Sequence, residues 1–435
     1  MNFDLEIGKR KRNGGFENSL YLNEKDRCLG NLVLGPTGSG RTALLLNQVL
    51  HDIKTMKKQE ELNMKINATT LIQPYGDASD RVLKSAENWG FKHVSYINPE
   101  ELNSVKVNPL LGDFKELRDA LVNMFEDHFK EHPVFNAQYH VDSFKHLLGN
   151  IILISKYNDI QEPGLDFIKV CLQDAQNLAY LTMHAVRLIN AEENKLHLTI
   201  KEKITLTSQL SSWLNSIIDI TIQNNEVCYQ FNEEDAFIEF KNILLDLVDN
   251  PSIKNIFTTK REVQVFDFYN HIQNGGLLLI NTDEVHLGKL CSAMIGKYFL
   301  SRLVNTSLRI QKTDDKQFHH LVLNEAENYY YNEFMCYLVQ TRRFYTSVTM
   351  GLQTLKQIAN KHSRGKVQLL LGSLRNLFIF GGVDSVDLLN IPCIDSEVEG
   401  KGDIIFQDAL DCTVILPRVP ELQQIRILID EVHRI

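Results

Sequence analysis

The sequence predicts an α/β protein: a parallel sheet whose chain is interrupted by an inserted all-α domain. Three observations predict it. The apolar run Leu32-Val-Leu34 leads into a glycine-rich loop, Gly35-Pro-Thr-Gly-Ser-Gly-Arg-Thr42, and then into a helix-like segment, Ala43 to Leu50. Short apolar runs keep alternating with helical ones on both sides of the middle of the chain, the pattern of parallel strands joined by crossover helices. From about Asp113 to Phe257 those runs vanish and helical spacing takes over.

The 435 residues suffice for one large domain with an insertion, or for two or three domains. With 43% apolar and 23% charged residues the composition is that of a soluble globular protein. No apolar run approaches the roughly 20 residues that span a bilayer. The start, Met1-Asn-Phe-Asp-Leu-Glu6, has neither the basic end nor the apolar centre of a signal peptide. Seven scattered cysteines, never spaced C-x-x-C, argue against a disulfide framework or a zinc site and suit a reducing cytoplasm. Charge is uneven. Between Glu116 and Lys254 there are 21 Asp and Glu against 11 Lys and Arg, so this stretch holds all of the net charge of −9. Such a segment repels a phosphate backbone, whereas the balanced flanks tolerate one.

In chain order, an N-terminal segment (1–30) carries Lys9-Arg-Lys-Arg12, read as a solvated tail, with a nucleic-acid or anionic-lipid contact as the alternative. Residues 31–112 and 258–435 are expected to form one discontinuous nucleotide-binding domain around residues 113–257, the acidic all-α insertion. Strand, glycine loop and helix are the setting in which G-x-x-x-x-G-K-[ST] cradles a polyphosphate. Gly35, Pro36, Thr37, Gly38, Ser39, Gly40, Arg41 and Thr42 are therefore the candidate binding residues, with Thr42 as the hydroxyl for Mg2+. Arginine stands at 41 where the pattern has lysine. Ala68-Thr-Thr-Leu-Ile72 and Gly90 to Ile97 read as further strands, separated by a helix over Arg81–Trp89. In the insertion, Leu117, Leu121, Met124 and Phe125, then Phe144, Leu147, Leu148 and Ile151, recur at helical spacing, as do residues from Leu206 to Ile217 and from Phe237 to Leu244. Strands return at Val263–Phe268, Gly276–Ile280, His320–Leu323, Ser347–Leu352 and Asn376–Phe380. A closing hairpin is read over Asp403–Leu416.

Hydrolysis of a nucleotide needs a carboxylate for the metal and a group that positions water, commonly where an apolar strand ends in Asp-Glu. Here a strand ends in Asn324-Glu325, which assigns Glu325 to water and the neutral Asn324 to the metal's shell. Gln353, one strand later, is placed to bond a γ-phosphate or the water. Arg342 and Arg343 close a helix, where cations suit the dipole, or act as arginine fingers on a neighbouring subunit's nucleotide. His128-Phe-Lys-Glu-His132 fits the H-x-x-E-H zinc pattern, but Pro133 ends the helix and no companion acid follows, so the match reads as coincidence.

In this order and spacing the motifs resemble those of the coupling ATPases of conjugative type IV secretion, in the FtsK/HerA branch of RecA-like motors. Leu32 to Gly40 is similar to that family's first motif, and Gln73-Pro-Tyr-Gly-Asp77 stands at its D-P-K-G-E-like turn. Trp89 to Asn98 and Val107-Asn-Pro-Leu110 resemble its G-x-x-V…N…N-P-L passage. Leu323-Asn-Glu-Ala-Glu327, Thr341-Arg-Arg343 and Met350-Gly-Leu-Gln353 resemble its D-E-x, arginine and glutamine motifs. The resemblance extends from about residue 28 to 400. It implies a RecA-like P-loop NTPase sheet, ATP and Mg2+ as cofactors, and a hexamer that moves DNA through a central channel. It also implies a relaxase or other DNA-processing protein docked on the all-α domain, whose acidity independently suits a protein partner. The family's N-terminal membrane segments have no counterpart here, which implies a separate membrane subunit holding the protein at the inner face of the membrane. Arg41, Asn324 and Gln73 replace Lys, Asp and Asp of the family. Arginine's planar fork is not a substitute for an ammonium, and each exchange removes about two to three decades of rate. Two other readings follow: a degenerate relative that binds nucleotide as a docking or regulatory subunit, and a related DNA pump of repair, defence or packaging.

Overall fold

The computed structural model describes the chain apart from residues 1–3, 13–14, 126–136, 159–163, 192–197, 224–225, 233–234, 258–264, 311–316, 362–363, 384–409, 418 and 427–435. Its contacts divide into two compact units, one of Met1–Asn98 with Asp267–Ile435 and one of Pro99–Phe266.

The first unit contains β1 (Leu5–Arg12), β2 (Gly15–Leu22), β3 (Asn31–Leu34), β4 (Ala68–Gln73) and β5 (Val94–Ile97). After β6 (Ile218–Gln223) and β7 (Glu226–Phe231) of the second unit, it resumes with β8 (Gly276–Asn281), β9 (His319–Leu323), β10 (Thr346–Leu352) and β11 (Asn376–Phe380). β12 (Asp411–Leu416) and β13 (Val419–Arg426) complete it. Among the described residues these form one eleven-stranded sheet in the order β2-β1-β13-β12-β11-β3-β10-β9-β4-β8-β5. From β11 to β5 each pair is parallel. From β11 out to β2 each pair is antiparallel.

A parallel sheet is covered on both faces, so its strands are apolar throughout rather than alternating. Leu32, Val33 and Leu34 are fully buried, as are Leu278, Leu279 and Ile280. On one face Val33, Leu71, Leu279 and Val322 share a core with Leu45, Val49, Ile53 and Met56 of the helix Arg41–Glu61, and with Val82 and Ala86 of the helix Gly76–Asn88. Polar bonds pin the register of the three strands around the loop. The Asn31 amide donates to Thr349 Oγ1 at 3.0 Å and accepts from Asn376 at 2.9 Å, while Thr349 donates to Gln48 at 2.9 Å. Beneath them the short helix Glu24–Arg27 is tied to the loop helix by a fully buried two-pronged pair, Arg27 to Asp52 at 2.6 and 3.0 Å. Burial opposes both charges, but the guanidinium holds the Asp52 carboxyl below its usual range.

The basic run is a finding against expectation. Lys9 to Arg12 lie within β1 instead of a solvated tail, with Lys9 opposite Arg426 and Arg10 opposite Ile425. The reason is upstream: Leu5 and Ile7 alternate into the core beside Leu20 and Leu22 of β2, and this face carries the charged end into the sheet. The closing hairpin is β12–β13, which starts later than expected; residues 403–409 lie outside the described residues.

The second unit is mainly helical: Phe114–Met124, Ala137–Tyr157, Leu165–Gln173, Ala175–Asn190, Ile200–Ile217, Asp235–Asp249 and Pro251–Ile256. Caps explain the starts. Asp113, Asp174 and Asn250 accept from first-turn amides, and Thr199 forms a capping box with Glu202. The expected stripes are core: Leu121, Phe125, Phe144, Leu148, Ile151 and Leu210 are all buried. The unit also contains a two-stranded hairpin, β6–β7, in which Ile218 is buried while Ile220 and Ile222 are exposed. The run Val263–Phe268 is not a strand over its described part. Val265 makes one isolated bridge to Lys106, and Asp267 caps a helix, Phe268–Asn274, by accepting from Tyr269 and Asn270.

Candidate nucleotide-binding site

Strand order brings the site together. β10 lies between β3 and β9, with Leu352 opposite Leu34 and Met350 opposite Leu323. The loop after β3, Gln353 after β10 and Asn324-Glu325 after β9 therefore leave the sheet side by side at its carboxyl edge, where open α/β sheets bind ligands. The Gly35 amide donates to Leu352 O at 3.1 Å, fixing the loop to the end of β10.

The loop turns because glycine permits it. Gly40 caps the helix Arg41–Glu61 at φ +105°, and a Cβ there would meet Leu410 Cδ2 at 2.8 Å. At the apex Thr37 and Gly38 are exposed, and no atom lies within 4 Å of where a Gly38 side chain would start. Amides facing open space at a helix N-terminus make a cradle for anionic oxygens. Thr42 is half-buried in the first turn of that helix.

Arg41 does not point outward with the loop. Its side chain is 5% exposed, and it passes over Gly351, whose Cβ would lie 3.6 Å from Arg41 Cδ. Nη1 donates to Gly35 O at 3.1 Å, and Nη2 stands 3.5 Å from Glu325 Oε1. Burial lowers the Arg41 pKa, against the pull of Glu327 and Glu325.

Glu325 sits in left-handed backbone at φ 54° and ψ 50°, a conformation a non-glycine residue holds at a cost of about 1–2 kcal/mol. Burial raises its pKa; the Arg41 charge and a hydrogen bond with Gln353 pull it down, and Glu284 adds to the rise. Asn324 is buried, its backbone N–H donating to Ile72 O at 3.0 Å, and its side-chain Oδ1 has no hydrogen-bond partner among the described residues. The donor set fits a polyphosphate with a divalent cation: open loop amides, a half-buried threonine hydroxyl and an unpartnered buried carbonyl oxygen. It fits the cation less tightly than a carboxylate does, because Asn324 brings no charge.

Arg342 and Arg343 stand elsewhere. They lie on the turn Thr341–Phe344, before the first residue of β10, at the opposite edge of the sheet from Gln353. Both are exposed and line a pocket of 720 Å3 with Lys25, Cys28, Phe318 and Tyr345. They cannot touch a nucleotide on their own chain's loop, since seven strand residues at about 3.3 Å each intervene. Gln73 is structural: it is buried, and its amide donates to Ser79 Oγ at 2.8 Å. Residues 128–132 lie outside the described residues.

Sequence reasoning missed Glu284, Lys289 and Tyr75. The first two act on the charge of Glu325, and Tyr75 is raised in pKa by burial and then by Glu325 and Glu284, with a hydrogen bond to Glu284. A signal was present. β8 runs into Asn281-Thr-Asp-Glu284, the Asp-Glu strand end that was sought only at Asn324.

No protein-family model matches the sequence, and no curated protein does. Solved structures do match. The bacterial conjugative coupling protein TrwBdeltaN70, in a trigonal form with sulphate, has a TM-score of 0.60 at 14% identity, covering 98% of this chain and 94% of that chain. The plasmid coupling protein TrwB in complex with ADP and Mg2+ has 0.57 at 14%, with the same two coverages of 98% and 94%. VirB4 of Thermoanaerobacter pseudethanolicus has 0.56 at 12%, covering 99% of this chain and 98% of that one. The likeness shows the fold: RecA-like α/β, of the kind seen in conjugative coupling proteins and VirB4.

Proposed function

We propose that the chain is a nucleotide-binding motor subunit of a conjugative, type IV secretion-like DNA transfer system, with ATP and Mg2+ as its cofactors. The observation that carries this is the convergence of the glycine loop, Asn324, Glu325 and Gln353 on one sheet edge, inside a fold shared with coupling proteins. TrwB's complex with ADP and Mg2+ supports the choice of ligand.

In this reading the amides of Gly38 and of Gly40 to Thr42 meet the phosphates, and Thr42 with Asn324 holds the cation. When bound, Mg2+ neutralises charge on the phosphate oxygens. Gln353 and the strained backbone fix Glu325, which orients water and takes its proton. Its upward pKa suits that work. Arg342 and Arg343 serve a neighbouring subunit in a ring, most simply a hexamer. DNA, a relaxase-like protein on the helical unit and a separate membrane subunit complete the assembly. Among the described residues no helix is long and apolar enough to cross a membrane. A second reading, a slow or inactive docking subunit beside an active relative, draws on Arg41, which is tied to Gly35 and Glu325, and on the neutral Asn324.

The deciding measurement is ATP binding and hydrolysis by purified protein with and without DNA, alongside Arg41→Lys and Asn324→Asp. The motor reading expects binding, slow DNA-stimulated turnover, and a gain of about tenfold or more from each reversion. Protein that binds neither nucleotide nor DNA overturns it. Arg342→Ala with Arg343→Ala is expected to cut turnover by about 100-fold or more while nucleotide affinity stays within about threefold.

A further inference from the structure

We propose that Arg41 is a positioning residue shared between Glu325 and the terminal phosphate of a nucleoside triphosphate, so that binding a triphosphate, and not a diphosphate, detaches it from Glu325. The inference rests on the nucleotide-site reading above and deepens it.

Three observations carry it. The guanidinium spans two elements, with one prong on the Gly35 carbonyl at 3.1 Å and the other 3.5 Å from Glu325. A guanidinium offers donors on separate prongs, which an ammonium at the same place does not. The pair is also poorly satisfied. Arg41 Nε is buried without a hydrogen-bond partner among the described residues, and the contact to Glu325 is an ion pair without a hydrogen bond. An anion entering the loop therefore competes for a cation that is incompletely satisfied. Finally, Glu325 has a second hold: its left-handed backbone does not depend on Arg41, and Gln353 also acts on its carboxyl. A side chain at the position before Thr42 reaches the β- and γ-phosphates while the loop amides meet the α and β ones, so the γ-phosphate, which only a triphosphate brings, is the group that draws the guanidinium away from Glu325. The exchange turns occupancy of the outermost position into release of the carboxylate that would act next.

The test is a double-mutant cycle read as binding. Dissociation constants for the non-hydrolysable ATP analogue ADPNP and for ADP, each with Mg2+, are measured on wild type, Glu325→Gln, Arg41→Met and the double variant. Glu325→Gln frees Arg41, so ADPNP is expected to bind about tenfold tighter while ADP changes less than about twofold. In the Arg41→Met background the same change is expected to yield nothing. An equal gain in both backgrounds means plain repulsion between carboxylate and phosphate, and overturns the proposal. So does an unchanged ratio of ADPNP to ADP affinity. If Arg41→Met does not fold or bind, Arg41→Lys replaces it. The lysine cannot hold both partners, so it should already prefer ADPNP, and adding Glu325→Gln should gain less than about twofold; a further tenfold gain overturns the proposal. Wild type that binds neither nucleotide removes the nucleotide-site reading itself, an outcome distinct from binding without coupling.

Discussion

At the scale of single residues, three buried imidazoles, two on β9 and one on the helix Phe268–Asn274, set an acid limit on the fold. Thr70 Oγ1 lies 3.0 Å from His271 Nε2 and 3.0 Å from His319 Nε2. One hydroxyl proton serves only one of them, so the other ring donates and both stay neutral. Burial lowers His319 to about 4 and His320 to about 3, and holds His271 well below its ordinary range with help from His319. The unfolded chain, titrating near 6.5, takes up these protons first. Stability is therefore full above about pH 6.5 and falls below it, by up to about 1.4 kcal/mol per pH unit for each ring, until the folded values are reached. Urea unfolding between pH 4.5 and 8 checks this, and His319→Gln is expected to flatten the slope. The site divides the same way between legible and illegible residues. The loop was readable because Gly35 to Thr42 are contiguous and phosphate binding needs just that order. The Arg41–Glu325 contact was not, since it depends on which strand lies between β3 and β9.

Among elements, the decisive packing is the loop helix on β10. At Gly351 a Cβ would sit 2.7 Å from Leu45 Cδ1, with Leu45 itself fully buried. A larger residue there must move the helix Arg41–Glu61, and the loop and Arg41 move with it. Gly351→Val is expected to destabilise the protein by about 1–3 kcal/mol and to weaken nucleotide binding more than Ala substitution at an exposed site does. Thermal unfolding and ADP titration of the same variant decide it; unchanged affinity in a destabilised protein would mean that the helix position is irrelevant to the site. Elements also show where pattern reading fails. Lys9 to Arg12 looked like a tail because charge dominates four residues, yet Leu5 and Ile7 just before them determine that the segment is a strand. At Asp267 a single capping carboxylate turned an apolar run into the start of a helix.

For the molecule as a whole, the loop, Arg41, Asn324, Glu325 and Gln353 all belong to the unit of Met1–Asn98 and Asp267–Ile435. Replacing residues 99–266 by a flexible Gly-Ser linker is expected to leave a folded unit that binds ADP within about threefold of the full chain, since ligand affinity follows the contacts retained. Loss of binding would show that the helical unit supports the site. The parallel core was foreseeable, because alternating strands and crossover helices have few arrangements. Beyond β11 the closing hairpin β12–β13 was foreseeable too, but β1 and β2 were not, because they come from the other end of the chain and no local pattern announces their pairing with β13.

The position of β3 has a consequence for how the protein is made. Its two neighbours, β10 and β11, are encoded more than 300 residues later. At ribosomal speeds of about 5–20 residues per second, Leu32, Val33 and Leu34 wait roughly 15 to 60 s for the first of them. During that time the future glycine loop hangs from an unpaired apolar strand on a nascent chain, a state that invites chaperones and makes the last third of synthesis the moment when the sheet edge around it comes into being.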